Sequence, residues 1–257
     1  MNNVDNIINN LLLCNLSYYE PEKIKNILQY NHLYKSVIPI VKNYYKIYNN
    51  KSGINVYIFK QNNIIYIIFR GTFSSKKVLM KSKFKKILNP YVNVHEGFYN
   101  QYFSVYDDIF NCISDDITVI NILGHSLGGG VATIASVLIA NYYLNINSKN
   151  KVNCYVFGCP RVGDIKFRNL FINIINNHYN YCFYNDIIGM MPTNYNYKHS
   201  CNLFKIRKNG VIVLCKNDIW YKRLYVFLSN KNCYNIFRNY NLESYLYFFY
   251  IFTPLKI

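Results

Sequence analysis

Residues 124–128, which read Gly-His-Ser-Leu-Gly, constrain the fold of this chain more than any other segment. They lie between a short apolar run over 117–123 and a helical pattern over 127–143. A strand that turns this sharply into a helix needs small residues around the central position, because larger side chains would collide. The turn presents Ser126 at the carboxyl edge of a sheet, beside free N–H groups at the helix N-terminus. Ser126 is therefore a candidate nucleophile.

Strand and helix patterns alternate along the middle of the chain. The pattern predicts a β-hairpin over 54–69, strands over 117–123, 152–157 and 179–184, and helices over 96–114, 127–143 and 164–177. This alternation is typical of an α/β protein with a mainly parallel sheet flanked by helices. The flanking segments are predicted to be helical over 1–50, irregular over 73–90 and a hairpin over 203–215. With no repeat or linker, we expect one domain over residues 1–257, with a motif-bearing core at about 54–200.

The 257 residues carry neither an apolar run of the ~20 residues that a membrane span needs nor a cationic leader followed by an apolar stretch. We therefore expect an intracellular protein. The eight cysteines form no Cys-x-x-Cys pair and no zinc-type spacing, so we expect reduced thiols, no metal site and no cofactor.

The net charge of +17 rests on 23 lysines and only six arginines, beside 40 asparagines and 28 tyrosines. These preferences match codons rich in A and T, as in a large DNA virus or an AT-rich parasite. The chain shows no helix-turn-helix and no aromatic RNA-binding signature, so we do not expect it to bind nucleic acid.

Six segments together resemble the class 3, or fungal-type, triacylglycerol lipases of the α/β-hydrolase fold. They are Phe-Arg-Gly-Thr at 69–72, Val-His-Glu-Gly-Phe at 94–98, Leu-Gly-His-Ser-Leu-Gly-Gly at 123–129, Phe-Gly-Cys-Pro-Arg-Val-Gly-Asp at 157–164, Asp-Ile-Ile-Gly-Met-Met-Pro at 186–192 and Tyr-Lys-His at 197–199. Their order and approximate gaps agree with the family over roughly residues 65–200.

The resemblance implies a role for each matching residue. Ser126 would be the nucleophile that forms an acyl-enzyme, and Asp186 would be the acid that orients a base. The backbone N–H groups of Thr72 and Leu127 would form the oxyanion hole. The implied activity is the hydrolysis of carboxylic esters in lipids, either triacylglycerol or phospholipid.

The general base departs from the family pattern. The C-terminal segment that carries the family's histidine reads Asn-Tyr-Asn-Leu-Glu-Ser-Tyr-Leu at 239–246, which places Tyr240 at the histidine position. A phenol is a poor base near neutral pH. His199 lies on the same side of the chain reversal as Asp186 and is the candidate substitute. The alternative hypothesis is a catalytically impaired lipase-like module that binds lipid or a protein partner.

A Lys-rich segment replaces the expected lid sequence after residue 72. Its basic and aromatic members predicted to contact a membrane are Lys76, Lys77, Lys83, Phe84, Lys85 and Lys86. On a helix this segment could lie on an anionic membrane surface as a mobile lid. The alternative is a solvated Lys-rich loop.

Overall fold

The computed structural model describes residues 2–42, 44–71, 83–88, 92–183, 186, 188–207, 212–215 and 244–246. The N-terminal part consists of α1 (Asn2–Leu16), α2 (Pro21–Tyr30) and a 3-10 helix (His32–Val37). The other helices are α3 (Glu96–Phe103), α4 (Tyr106–Asn111), α5 (Leu127–Asn145) and α6 (Ile165–Ile174), with a 3-10 turn at Ile188–Met190. These helices lie where the sequence pattern predicted them.

The described strands form an eight-stranded sheet and a separate two-stranded ribbon. The main sheet contains β1 (Tyr44–Asn49), β2 (Ile54–Gln61), β3 (Ile64–Phe69), β6 (Val119–His125), β7 (Lys151–Phe157), β8 (His178–Phe183), β9 (Asn202–Ile206) and β10 (Ile212–Leu214). The ribbon pairs β4 (Phe84–Ile87) with β5 (Val92–His95). Both β1 and the ribbon correct the sequence analysis, which expected helix and irregular chain there.

Strand order in the sheet is β1-β2-β3-β6-β7-β8-β9-β10. The run from β3 through β6, β7 and β8 to β9 is parallel. Strands β1 and β2 add an antiparallel edge on one side, and β10 adds one on the other. The protein is therefore an α/β-hydrolase domain with a mainly parallel central sheet flanked by helices.

Two hydrophobic cores cover the two faces of the sheet. Side chains alternate between them along each strand, so Val56 and Ile58 pack in the core that contains α5, whereas Tyr57 and Phe59 pack in the core that contains α1. The second core includes Leu11, Leu12 and Leu16 of α1, all fully buried. The N-terminal helix is thus part of the main packing of the domain.

Helix α5 is, within the described residues, the one helix long and apolar enough to cross a membrane by length and composition. Most of it is buried inside the protein, where it packs on β3, β6 and β7. The packing accounts for its apolar composition, so this finding is weak evidence for a membrane span.

Candidate active site

Ser126 lies in the sharp turn between β6 and α5. Its backbone has a φ of 55° and a ψ of −126°, in the left-handed half of the Ramachandran plot that residues with a Cβ rarely occupy. The Ser126 N–H donates to the carbonyl of Phe157 at 2.8 Å, and the Ser126 carbonyl accepts from Gly129 at 3.0 Å. These two bonds hold the strained turn at the end of β6, as the motif predicted.

The glycines of this turn are required by close backbone contacts. A Cβ built on Gly128 would lie 2.2 Å from the carbonyl oxygen of Phe69, and one on Gly124 would lie 2.5 Å from the carbonyl oxygen of Gly128. Helix α5 therefore begins directly against the end of β3. The close approach brings the segment after β3 next to the nucleophile.

Gly71 follows β3 and faces the nucleophile turn. A Cβ built on Gly71 would lie 3.3 Å from the Ser126 Cβ and 2.6 Å from the His125 carbonyl oxygen. The predicted oxyanion donor Thr72 is the next residue and lies outside the described residues. Leu127 is the first residue of α5, so its N–H is one of the N-terminal N–H groups of that helix. Both oxyanion roles remain predictions.

Tyr18, just after α1, connects the N-terminal region to this turn. Its hydroxyl lies 2.7 Å from Nδ1 of His125, and it accepts a hydrogen bond from the N–H of Gly71. The hydroxyl is buried although part of the ring is exposed, and burial raises the pKa of Tyr18 above its ordinary value. The Tyr18 hydroxyl therefore links the N–H of Gly71 to the imidazole of His125 beside the nucleophile turn. The sequence analysis did not single out Tyr18.

Asp186 follows β8 and lies at the same sheet edge as Ser126. Ser126 bonds to Phe157 at the end of β7, and a Cβ built on the next residue, Gly158, would lie 2.8 Å from Oδ2 of Asp186. Gly158 in turn donates its N–H to Tyr181 of β8. The predicted placement of the acid and the nucleophile at one edge is thus what the structure shows.

The Asp186 carboxyl is buried and held by defined donors. Its Oδ1 accepts from the N–H of Ile188 at 2.9 Å, and the N–H of Gly189 also donates to the carboxyl. The hydroxyl of Tyr245 accepts from the Phe183 N–H at 3.3 Å and donates to Oδ2 of Asp186 at 3.4 Å. Burial raises the pKa of Asp186 to about 6, and the hydrogen bonds oppose that rise.

The tyrosine described at the acid is therefore Tyr245. The sequence analysis placed Tyr240 at the histidine position, and Tyr240 lies outside the described residues. Burial and the neighbouring Asp186 raise the pKa of Tyr245 well above its ordinary value, so it remains a neutral hydrogen-bond donor. A contact between residues so far apart in the chain leaves no local signal in the sequence.

His199, the candidate substitute base, is buried and held by two contacts. Its Nε2 lies 2.9 Å from the carbonyl oxygen of Gly189, so this nitrogen carries the proton. Its Nδ1 lies 3.5 Å from the side-chain amide of Asn180. Both ring nitrogens of His199 thus contact neighbouring groups of the protein. The described geometry therefore does not support His199 as a base and favours a structural role for its imidazole.

The described part of the Lys-rich segment is a strand. Lys83, Lys85 and Lys86 are exposed at or near β4, whereas the Phe84 ring stacks on Tyr197 with centroids 4.3 Å apart. Phe84 is therefore packed against the protein, which counts against its predicted membrane contact. Lys76 and Lys77 lie outside the described residues.

Comparison with known proteins gives the same family as the motifs. The model of the class 3 lipases matches residues 66–196, which are 131 of the 257 residues. A lipase from Rhizopus niveus is 29% identical over 128 residues, covering 45% of this chain and 32% of the relative. Phospholipase A1-II 4 of Oryza sativa subsp. japonica is 46% identical over 57 residues, covering 22% of this chain and 14% of the relative. The chain thus spans about a third or less of the length of these relatives.

Solved structures agree on the fold. The triacylglyceride lipase of Rhizomucor miehei superimposes with a TM-score of 0.67 at 21% identity, covering 84% of this chain and 86% of that one. Lipase II of Rhizopus niveus gives a TM-score of 0.68 at 21% identity, covering 84% and 85%. The fold, the sharp turn at Ser126 and the buried Asp186 at the same sheet edge are those of an α/β-hydrolase. The chain belongs to the class 3 lipase family.

Proposed function

We propose that this chain hydrolyses carboxylic esters of lipids through an acyl-enzyme on Ser126. The observation that carries the proposal is the strained Ser126 turn at the same sheet edge as the buried, hydrogen-bonded Asp186. Matched relatives are named lipases and phospholipases A1, which supports a lipid ester as substrate.

In this reaction the Ser126 Oγ attacks the ester carbonyl, and the alcohol leaves as the acyl-enzyme forms. The N–H of Leu127 at the start of α5 would stabilise the negative charge that develops on the carbonyl oxygen, and the sequence motif predicts the same role for the N–H of Thr72. Water then releases the fatty acid and restores the serine. Ionised Asp186 has the role of orienting and stabilising the group that takes the serine proton.

Ester hydrolysis tests this proposal directly. We expect the chain to hydrolyse p-nitrophenyl butyrate, and to release fatty acid from emulsified triolein or phosphatidylcholine. Ser126→Ala should abolish both activities while leaving the fold intact. Binding of either lipid without turnover would instead support the lipid-binding alternative.

The base is tested by two substitutions in parallel. If Tyr240 occupies the histidine position, Tyr240→His should raise esterase activity by about 10²-fold or more, and Ser126→Ala should remove the gain. Tyr240→Phe is the matched control, since it restores no base. Wild-type activity that vanishes in His199→Ala, with no gain from Tyr240→His, would show that the base assignment is wrong.

We further propose that the exposed lysines of the β4 region bind an anionic lipid surface. Lys83, Lys85 and Lys86 should each contribute about 1 kcal/mol near such a surface. Sedimentation with vesicles of phosphatidylcholine plus phosphatidylglycerol should fall with salt and when these three residues are changed to Gln. Changing Lys25, Lys149 and Lys151 to Gln removes the same charge from other exposed sites and should weaken binding less. Equal binding to pure phosphatidylcholine vesicles would contradict the electrostatic mechanism.

A further inference from the structure

Arg161 is a buried cation beside the acid loop. It lies in the segment after β7, is 2% exposed, and is among the largest fully buried side chains of the described protein. Within the described part of the chain no carboxylate forms an ion pair with it, and its Nε has no hydrogen-bond partner. Burial lowers the pKa of Arg161 to about 10. An unpaired buried charge destabilises a fold, so its presence calls for a compensating role.

The contacts of Arg161 all go to backbone carbonyls of one loop. Its Nη2 donates to the carbonyl of Met190, and its Nη1 donates to the carbonyl of Tyr197 at 3.3 Å. Its own N–H donates to the carbonyl of Met191 at 2.8 Å. One side chain and its backbone therefore tie both ends of the 190–197 loop to the segment between β7 and α6.

The loop that Arg161 holds begins with the turn that cradles the acid. The N–H groups of Ile188 and Gly189 donate to Asp186, and the carbonyls of the same 3-10 turn point toward other partners. The Gly189 carbonyl accepts from His199, and the Met190 carbonyl accepts from Arg161. The turn therefore donates its N–H groups to Asp186, and its carbonyls accept from His199 and Arg161, which hold the turn in place.

We propose that Arg161 is a positioning residue for Asp186, which it holds by clamping carbonyls of the 190–197 loop directly after the turn that supplies the acid's amide donors, including that of Met190 in the turn itself. Its planar fork of donors suits two carbonyls from separate parts of a loop, a geometry that a lysine cannot reproduce. This inference rests on the proposed function, in which Asp186 is the catalytic acid. The clamp itself is a structural claim that can be measured without turnover.

The ionisation of Asp186 reports on the clamp. The two amide donors favour the carboxylate and so lower the pKa of Asp186. The carboxyl is also covered by elements other than the turn, among them the segment after β7 at Gly158. The ionisable groups that face the carboxyl from these elements are Tyr245, Cys182 of β8, Cys159 after β7 and Lys205 of β9. If the turn moves, Asp186 loses the two amide hydrogen bonds, while the groups of the other elements keep its carboxyl buried. The pKa of Asp186 should therefore rise.

The test is a ¹³C NMR titration of aspartate-labelled protein, with the Asp186 signal assigned by Asp186→Asn. Arg161→Lys keeps the positive charge but loses the paired N–H donors of the guanidinium that bind two carbonyls. We expect the turn to move and the pKa of Asp186 to rise by about one unit. Arg168→Lys is the matched control, because Arg168 also donates to a carbonyl, that of His199, outside the turn. We expect it to leave the titration unchanged.

Kinetics of p-nitrophenyl butyrate hydrolysis give the second readout. Arg161→Lys should lower kcat by about tenfold with little change in KM, and shift the acid limb of the pH profile upward with the pKa of Asp186. If wild type has no esterase activity but the NMR shift appears, the proposed function fails and the clamp stands. An unchanged Asp186 pKa in folded Arg161→Lys, or a fall toward 4, overturns the inference.

A second variant distinguishes a loss of positioning from a loss of folding. Arg161→Met fills a similar volume without charge, and we expect it to fold and to raise the pKa of Asp186 as well. If both variants unfold, Arg161 is needed for folding rather than for positioning, and the inference is wrong.

Discussion

At the scale of single residues, the site combines features that weaken the fold. Ser126 occupies a left-handed backbone conformation, and Asp186 is a buried carboxyl with a raised pKa. Such strain and burial persist where the surrounding structure holds them, and they cluster at functional sites. We therefore expect Ser126 and Asp186 each to lower the free energy of unfolding relative to a residue that relieves the strain or the buried charge.

Asp186→Asn should stabilise the protein in a pH-dependent manner. The folded pKa of about 6 lies above the unfolded value of ~3.9, so ionisation of Asp186 opposes folding as pH rises from 4 to 6. The variant should be more stable by about 3 kcal/mol at pH 8 and equal to wild type near pH 4. Urea unfolding at several pH values measures this, and a difference that stays constant with pH would contradict the burial argument.

At the scale of elements, the site depends on how closely α5 and β3 approach each other. The parallel order β3-β6-β7-β8 brings the carboxyl ends of these four strands to one sheet edge, and glycines allow backbone contact there. The G-x-S-x-G segment predicted the Ser126 turn from the sequence, because the need for small residues there is local.

Gly128→Ala tests the close approach. The new Cβ would meet the Phe69 carbonyl at 2.2 Å, so α5 must shift, and we expect a loss of about 3 kcal/mol. Gly53→Ala is the control: Gly53 has a φ of +67° but nothing within 4 Å of a Cβ, so strain alone should cost about 1 kcal/mol. Similar urea midpoints for the two variants would argue against a backbone clash at Gly128.

One strand and two contacts of the site region were not predicted from the sequence. Strand β1 reads Tyr-Tyr-Lys-Ile-Tyr-Asn and lies at the sheet edge with Tyr45 and Tyr48 exposed, so it lacks the regular alternation that marks a half-buried strand. Its pairing with β2 fixes it instead. The contacts of Tyr18 with His125 and of Tyr245 with Asp186 likewise join residues 107 and 59 positions apart. Only the folded chain brings such groups together.

At the scale of the whole molecule, the N-terminal region is part of the α/β-hydrolase fold. The family match begins at residue 66, yet α1 packs in the core beneath β3 and β6, and Tyr18 reaches the nucleophile turn. The net charge of +17 is that of the whole sequence, and the exposed lysines of the β4 region contribute to it.

Leu12→Ala should therefore destabilise the whole domain. Leu12 is fully buried in the core that α1 shares with the sheet, and its truncation should cost about 3 kcal/mol. Hydrogen exchange of the β6 amides should accelerate together with that of α1, whereas Asp5→Asn, at an exposed position of α1, should change both little. Faster exchange confined to α1 would show that the helix unfolds independently of the sheet.

Covalent labelling of Ser126 tests the central claim most directly. Incubation with diisopropyl fluorophosphate, which loses fluoride as a serine oxygen bonds to phosphorus, followed by intact and peptide mass spectrometry, locates an activated serine. We predict one adduct per chain, on Ser126 and absent in Ser126→Ala, that forms more slowly as pH falls through about 6 and Asp186 takes up a proton. A folded protein that forms no adduct, or forms it equally in Ser126→Ala, would contradict the assignment of this site.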